Sequence, residues 1–128
     1  ESKQCLTQLQ VGFSHTLNFL PLRGDFSRGI YASVYLNSDL SVEASTELFQ
    51  SYYATHPFTH VSPSNPHLKQ VVNTNKAIVH VQKIDGKLLI ISMIDNLLKG
   101  ASGQAVQNFN LMSGLDEQTG LHLKAMAF

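Results

Sequence analysis

The sequence predicts an α+β domain: a mixed, largely antiparallel sheet with helices packed on a face. Three observations carry this. Asp85-Gly86 separates two strand-like runs, Ala77 to Lys83 and Lys87 to Ile94, as a two-residue loop suited to a type I′ turn. Leu88-Leu89-Ile90-Ile91 is apolar without alternation, as expected for an inner strand covered on both faces. Two segments of helical spacing, each with a recognisable end, lie between or after the strands. At 128 residues the chain is the size of one domain, residues 1–128.

Taken in order, Lys3 to Leu9 reads as the start of a helix, with Cys5 as a packing residue; its one nearby cation is Lys3, too little to make a nucleophile. From Val11 the chain alternates: Val11, Phe13, His15, Leu17 and Phe19 share one face of a half-buried strand, which makes His15 a core histidine. A polar, glycine-containing loop follows, then a second strand over Ile30 to Leu36. Ser41 is placed to cap a helix over Val42 to Ala54, with Leu48, Phe49 and Tyr52 as its apolar stripe and His56-Pro57 as its stop. Ser62-Pro63-Ser64-Asn65-Pro66 is a turn-rich connection. In the hairpin, His80 shares a face with Ile78 and Gln82 and reads as a satisfied core histidine. The last helix is expected over Ala101 to Ser113, burying Ala105, Val106, Phe109 and Met112, with Gly114 at its C-terminal cap.

Composition removes whole classes of function. Nine Lys+Arg balance nine Asp+Glu, so no electrostatic footprint for nucleic acid or anionic lipid is present. No apolar run reaches the roughly 18 residues of a membrane helix, and the lone Cys5 fits a reducing, cytoplasmic compartment. Charged residues make up 14%, against about 25% in typical soluble domains. That scarcity, with Glu1 as the first residue, suggests a piece of a larger protein whose surface is partly covered.

Two constellations could carry chemistry, and a third invites a metal reading that its residues do not support. Asp95 to Ala105 places Lys99, Gly100 and Gly103 between a buried strand and a helix, where unsatisfied N–H groups favour an anionic or polar ligand, although spacing alone favours reading Gly100 and Gly103 as allowing tight helix-to-strand packing. Arg23, Asp25 and Arg28 share one loop, either as a clamp for a phosphate or carboxylate or as an exposed turn. His56, His60 and His67 do not suggest a metal site, because Pro57 keeps the first two off one helical face and no carboxylate or Cys lies near.

The run Asp95-Asn96-Leu97-Leu98-Lys99-Gly100-Ala101-Ser102-Gly103-Gln104-Ala105-Val106-Gln107-Asn108-Phe109-Asn110-Leu111-Met112, followed by Gly114 to Leu121, closely resembles the C-terminal signature of the N-acetyl-gamma-glutamyl-phosphate reductases. Phe19-Leu20-Pro21-Leu22 through Arg28-Gly29-Ile30 is similar to that family's F-x-P-(x)n-R-G-I segment, in a longer variant, and Asn73-Thr74-Asn75 to its T/S-N element. The resemblance implies a domain like the C-terminal domain of glyceraldehyde-3-phosphate dehydrogenase, and an NADP-dependent enzyme of arginine biosynthesis. That enzyme reduces an N-acylated glutamyl phosphate to the semialdehyde through a cysteine thioester.

The family's glycine-rich dinucleotide motif, P-G-C-Y-P-like nucleophile segment and H-R-H-like base segment are not in this sequence. The resemblance therefore implies no catalytic residue here, an N-terminal nucleotide-binding domain elsewhere, and no catalysis by this chain alone. It implies Asn96, Lys99, Gly100 and Ala101 as cofactor-facing residues and Arg28 and Arg23 as grips on the substrate's anionic group. The apolar sheet faces would be a subunit interface of a homo-oligomer. Two alternatives stand beside this: a non-enzymatic dimerisation or binding module of the same fold, and a reductase for a longer or differently acylated substrate, since one methylene is worth only about 1–3 kcal/mol.

Overall fold

In a computed structural model, which describes residues 2–125, the elements follow as α1 (Ser2–Leu9), β1 (Ile30–Asn37), α2 (Val42–Tyr53), β2 (Thr59–Val61), a 3₁₀ turn (Leu68–Gln70), β3 (Ala77–Ile84), β4 (Lys87–Ile94), a π-helical turn (Leu98–Ser102) and α3 (Gly103–Met112). One sheet orders the strands β1-β4-β3-β2. The first two pairings are antiparallel and β2–β3 is parallel, so the sheet is mixed and largely antiparallel as expected. No helix among the described residues is long and apolar enough to cross a membrane.

The hairpin forms where the sequence predicts it. Asp85 and Gly86 both take positive φ, 48° and 78°, the pair of left-handed conformations that a type I′ turn requires. In the sheet β4 is an inner strand between β1 and β3, and its successive residues feed two cores. On one face Leu88 joins Val79 and Val81, covered by Phe49 and Tyr53 of α2. On the other, Leu89, Ile91 and Met93 meet Val71, with Leu68 and Ile78 at the margin. His80 is buried as predicted, its Nδ1 2.9 Å from the Ser62 carbonyl. A carbonyl can only accept, so that nitrogen carries the proton.

Several expectations need correction. The strand over Val11 to Phe19 does not form. The chain there is irregular, and Val11 and Phe19 are 98% and 80% exposed. Alternation supplies two faces, but a strand also needs a neighbour's backbone, and among the described residues none is offered. His15 is accordingly exposed, set edge-on to Phe13, not a core histidine. Cys5 is also exposed, not a packing residue, since α1 buries no residue among those described.

Ser41 caps α2 by accepting from the Ala44 N–H. The face turned inward is Ser45, Phe49 and Tyr53, at i, i+4 and i+8, while Leu48 and Tyr52 are exposed.

The largest correction is in α3. Ala105, Val106, Phe109 and Met112 face outward, and the buried face is Gly103, Gln107 and Asn110. Polar anchoring decides this orientation: Asn110 Nδ2 donates to the carbonyls of Glu117 and Thr119, and Gln107 accepts from Asn75 Nδ2 at 3.0 Å. Gly103 makes the close approach possible. A Cβ there would lie 2.4 Å from Asn75 Oδ1 and 2.9 Å from the Leu98 carbonyl oxygen. Gly103→Ala is therefore expected to destabilise the fold by about 1–3 kcal/mol through overpacking. Gly100→Ala, whose Cβ would meet only ordinary contacts beginning at 3.4 Å, should be tolerated. Thermal melts of the two variants check the contrast.

Candidate functional site

The site is built where β4 ends. Asp95 follows the last β4 residue and is completely buried, which for a carboxylate demands compensation. Its Oδ1 accepts from the N–H groups of Leu97 and Leu98 at 2.8 and 2.9 Å, and its Oδ2 from the Asn73 N–H at 2.7 Å. Arg28 Nη2 lies 3.0 Å from both oxygens. One side chain thus ties together three stretches distant in sequence: Arg28-Gly29, Asn73-Thr74-Asn75 and Asp95 to Leu98. Burial pushes the Asp95 pKa up, but the N–H groups of Asn73, Leu98 and Leu97 and the Arg28 guanidinium together outweigh it, leaving the carboxyl below its ordinary range.

A depressed folded pKa means that ionised Asp95 stabilises the fold at pH above the ordinary carboxylate value of about 4, and that this contribution is lost as pH falls through the lower folded value. The stability gap between the native chain and Asp95→Asn should accordingly close on acidification below about pH 4. Denaturant titrations across that range measure it.

Around this carboxylate the neighbours are set in place. Arg28 Nη1 donates to Asn73 Oδ1. Asn73 holds φ at 63°, a left-handed conformation that asparagine tolerates better than most residues. Gly29 takes φ of 113°, where an L side chain is strained, and its N–H donates to Asn96 Oδ1 at 2.7 Å. Asn96 Nδ2 has no hydrogen-bond partner among the described residues. Lys99 turns toward α3: its Nζ donates to Gln107 Oε1 at 2.7 Å and lies 5.6 Å from the centre of the Phe58 ring. Burial lowers the Lys99 pKa, partly countered by the Glu117 carboxylate.

The sequence-predicted residues are only partly gathered. Arg28 and Asn96 are brought together indirectly, through Gly29, whose N–H bonds Asn96, and Asp95, which holds Arg28; Lys99, Gly100 and Ala101 follow on the adjoining turn. Arg23 is exposed and makes no hydrogen bond or ion pair among the described residues. The expectation of open N–H groups at the helix start is not met at Leu97, Leu98 or Gly100: the first two bond to the Asp95 carboxylate and the third to the Asp95 carbonyl at 2.8 Å. Sequence reasoning gave no role to Asp95, Asn73 or Gln107. A signal for Asp95 existed, since Asp at a strand end before a helical turn is a standard acceptor for N–H groups two and three residues on.

Beside Arg28, a cavity of about 470 Å³ opens between the 25–28 loop and the 67–72 segment, with Phe26, Leu68 and Val72 among its apolar walls. Arg28, His67 and Lys69 also line it, and Asp25 supplies a negative charge. Arg28 Nε is buried and has no hydrogen-bond partner among the described residues. Cationic donors beside apolar walls suit a small molecule with an anionic group and a short aliphatic body.

A sequence model of the family described as "Semialdehyde dehydrogenase, dimerisation domain" matches residues 1–96. The chain is similar to proteins named N-acetyl-gamma-glutamyl-phosphate reductase. That of Parabacteroides distasonis is 57% identical over 128 residues, which is all of this chain and 40% of the relative. That of Azobacteroides pseudotrichonymphae is 60% identical over 111 residues, 87% of this chain and 35% of the relative. That of Flavobacterium johnsoniae is 50% identical over 128 residues, all of this chain and 39% of the relative. The chain therefore spans about 40% of the length of the curated relatives it matches.

Proposed function

The chain belongs to the semialdehyde dehydrogenase dimerisation-domain family, and from that premise we propose that it is one part of an NADP-dependent reductase of arginine biosynthesis. The reaction is conversion of N-acetyl-glutamyl 5-phosphate to N-acetyl-glutamate 5-semialdehyde. The observation that carries this is the 57% identity over all 128 residues with a relative of that printed name. Residues 1–128 form a single domain in this reading. The nucleotide-binding domain, nucleophilic Cys and base His belong to the rest of the polypeptide, which has a cytoplasmic setting.

The site's donors fit a nicotinamide end. Asn96 Nδ2 is unpartnered among the described residues, and a carboxamide carbonyl is the acceptor it would suit. Lys99, Gly100 and Ala101 form the wall beside it, Lys99 through its hold on Gln107. The cofactor supplies hydride when bound; the residues here orient it and exclude water. Arg28 grips the substrate's phosphate or carboxylate from the cavity wall, and Arg23 approaches from the same loop. Exposed apolar residues on β1, among them Tyr31, Val34 and Tyr35, fit burial against a second copy in a homo-oligomer.

The test is phosphate-dependent reduction of NADP by N-acetyl-glutamate 5-semialdehyde, the reverse reaction, with the full-length protein. Turnover is expected, and Asn96→Ala should raise the KM for the dinucleotide. No turnover with either nicotinamide dinucleotide would leave a binding module in the enzyme's place.

A further inference from the structure

We propose that Asp95 is a positioning residue that fixes Asn96 as a hydrogen-bond donor, so that the ligand group Asn96 meets must be an acceptor. This rests on the reading of Asn96 as a cofactor-facing residue. Asp95 is wholly buried and cannot itself touch a ligand. Anything it does to binding must pass through its neighbours, and it holds Asn96 from two sides. On one side Oδ1 accepts the N–H groups of Leu97 and Leu98, fixing the backbone that leaves Asn96. On the other side both oxygens hold Arg28 Nη2 at 3.0 Å, which anchors the next residue, Gly29.

The Gly29 N–H can only donate, so the atom of the Asn96 carboxamide that it meets at 2.7 Å is the oxygen. That contact settles the orientation of the amide. The acceptor is consumed, and Nδ2 with its two hydrogens is what Asn96 has left to offer. Gly29 is suited to this because its φ of 113° is open to glycine, and a Cβ there would also lie 2.8 Å from Leu68. A carbonyl-bearing ring substituent fits the resulting donor, whereas a donor group in the same place would face unpaired hydrogens.

The test is a binding comparison in the full-length protein, using NADPH and 2′-phospho-ADP-ribose, which lacks the nicotinamide. Asn96→Ala should weaken NADPH about tenfold and leave the fragment unchanged. Asp95→Asn, which loosens the hold on Arg28 but keeps an acceptor for Leu97 and Leu98, should weaken NADPH several-fold, by less than Asn96→Ala does, and likewise leave the fragment unchanged. The double variant should be no more than about twofold worse than Asn96→Ala, because both changes remove one contact. A merely structural role for Asp95 predicts equal weakening of both ligands, and that result overturns the inference, as does a double variant weakened for NADPH by the product of the two single effects. If Asn96→Ala leaves NADPH binding unchanged, the cofactor-facing reading of Asn96 fails and the inference falls with it. Should Asp95→Asn not fold, Asn73→Gly takes its place: it keeps the positive φ and removes the Arg28 Nη1 acceptor. It must then show the same selectivity for NADPH, at smaller amplitude, and equal weakening of both ligands again overturns the proposal.

Discussion

Replacing Asp95 with alanine is expected to destabilise the chain by about 3–5 kcal/mol, the range for removing one partner of a buried ion pair. The cost has two sources. Arg28 loses the carboxylate to which its Nη2 is held, and the N–H groups of Asn73, Leu97 and Leu98 lose their acceptor at once. Against a total stability of about 5–15 kcal/mol for a domain of ordinary size, this is a large fraction. The midpoint of thermal unfolding should fall by about 10–20 °C. Asp95→Asn should be milder, because an amide oxygen can still accept from Leu97 and Leu98. A fall of less than about 3 °C for the alanine variant would show that the carboxylate is not the knot joining the three stretches.

Arg28→Ala carries the largest expected effect on activity. In the full-length protein it should lower kcat/KM for the acyl phosphate by about two orders of magnitude, or about 3 kcal/mol of transition-state stabilisation. Arg28→Lys should recover only part of that, because an ammonium cannot reproduce the planar fork that spans Asn73 and Asp95. Arg23→Ala separates the two arginines, since Arg23 has no tether among the described residues and should act only through substrate, in KM more than in kcat. Far-ultraviolet circular dichroism of each variant must match the native protein before the rates are compared. An unchanged kcat/KM in folded Arg28→Ala would remove that guanidinium from the substrate's reach.

The sheet was legible because its signals are local. Asp85-Gly86 fixes a turn by backbone conformation, and Leu88 to Ile91 advertises two covered faces, which Phe49 and Tyr53 of α2 cover on one side and Val71 on the other. The cap at Ser41 was legible for the same reason. The strand over Val11 to Phe19 was not, because pairing depends on a partner that period-two alternation says nothing about. Nor was the orientation of α3. An apolar stripe of Val106, Phe109 and Met112 looks like a core face, yet Gly103, Gln107 and Asn110 also lie on one side of the helix, and their close packing and hydrogen bonds hold that side inward. An apolar stripe records what a helix can bury, and here the described residues provide nothing to cover it. In the site, Arg28 and Asn96 were identified through the resemblance of their motifs, but their mutual arrangement depends on Asp95 and Asn73, whose roles arise from contacts spanning 67 and 22 residues of sequence.

The most direct test of the account is a turnover assay on two preparations, the full-length protein and residues 1–128 alone, each supplied with NADP, phosphate and N-acetyl-glutamate 5-semialdehyde. Activity in the full-length protein and none in the 128-residue chain is the predicted result, because in the proposed reading the chain contributes binding and positioning groups and the nucleophile lies elsewhere. Turnover by residues 1–128 alone, or its absence from the full-length protein, would contradict it.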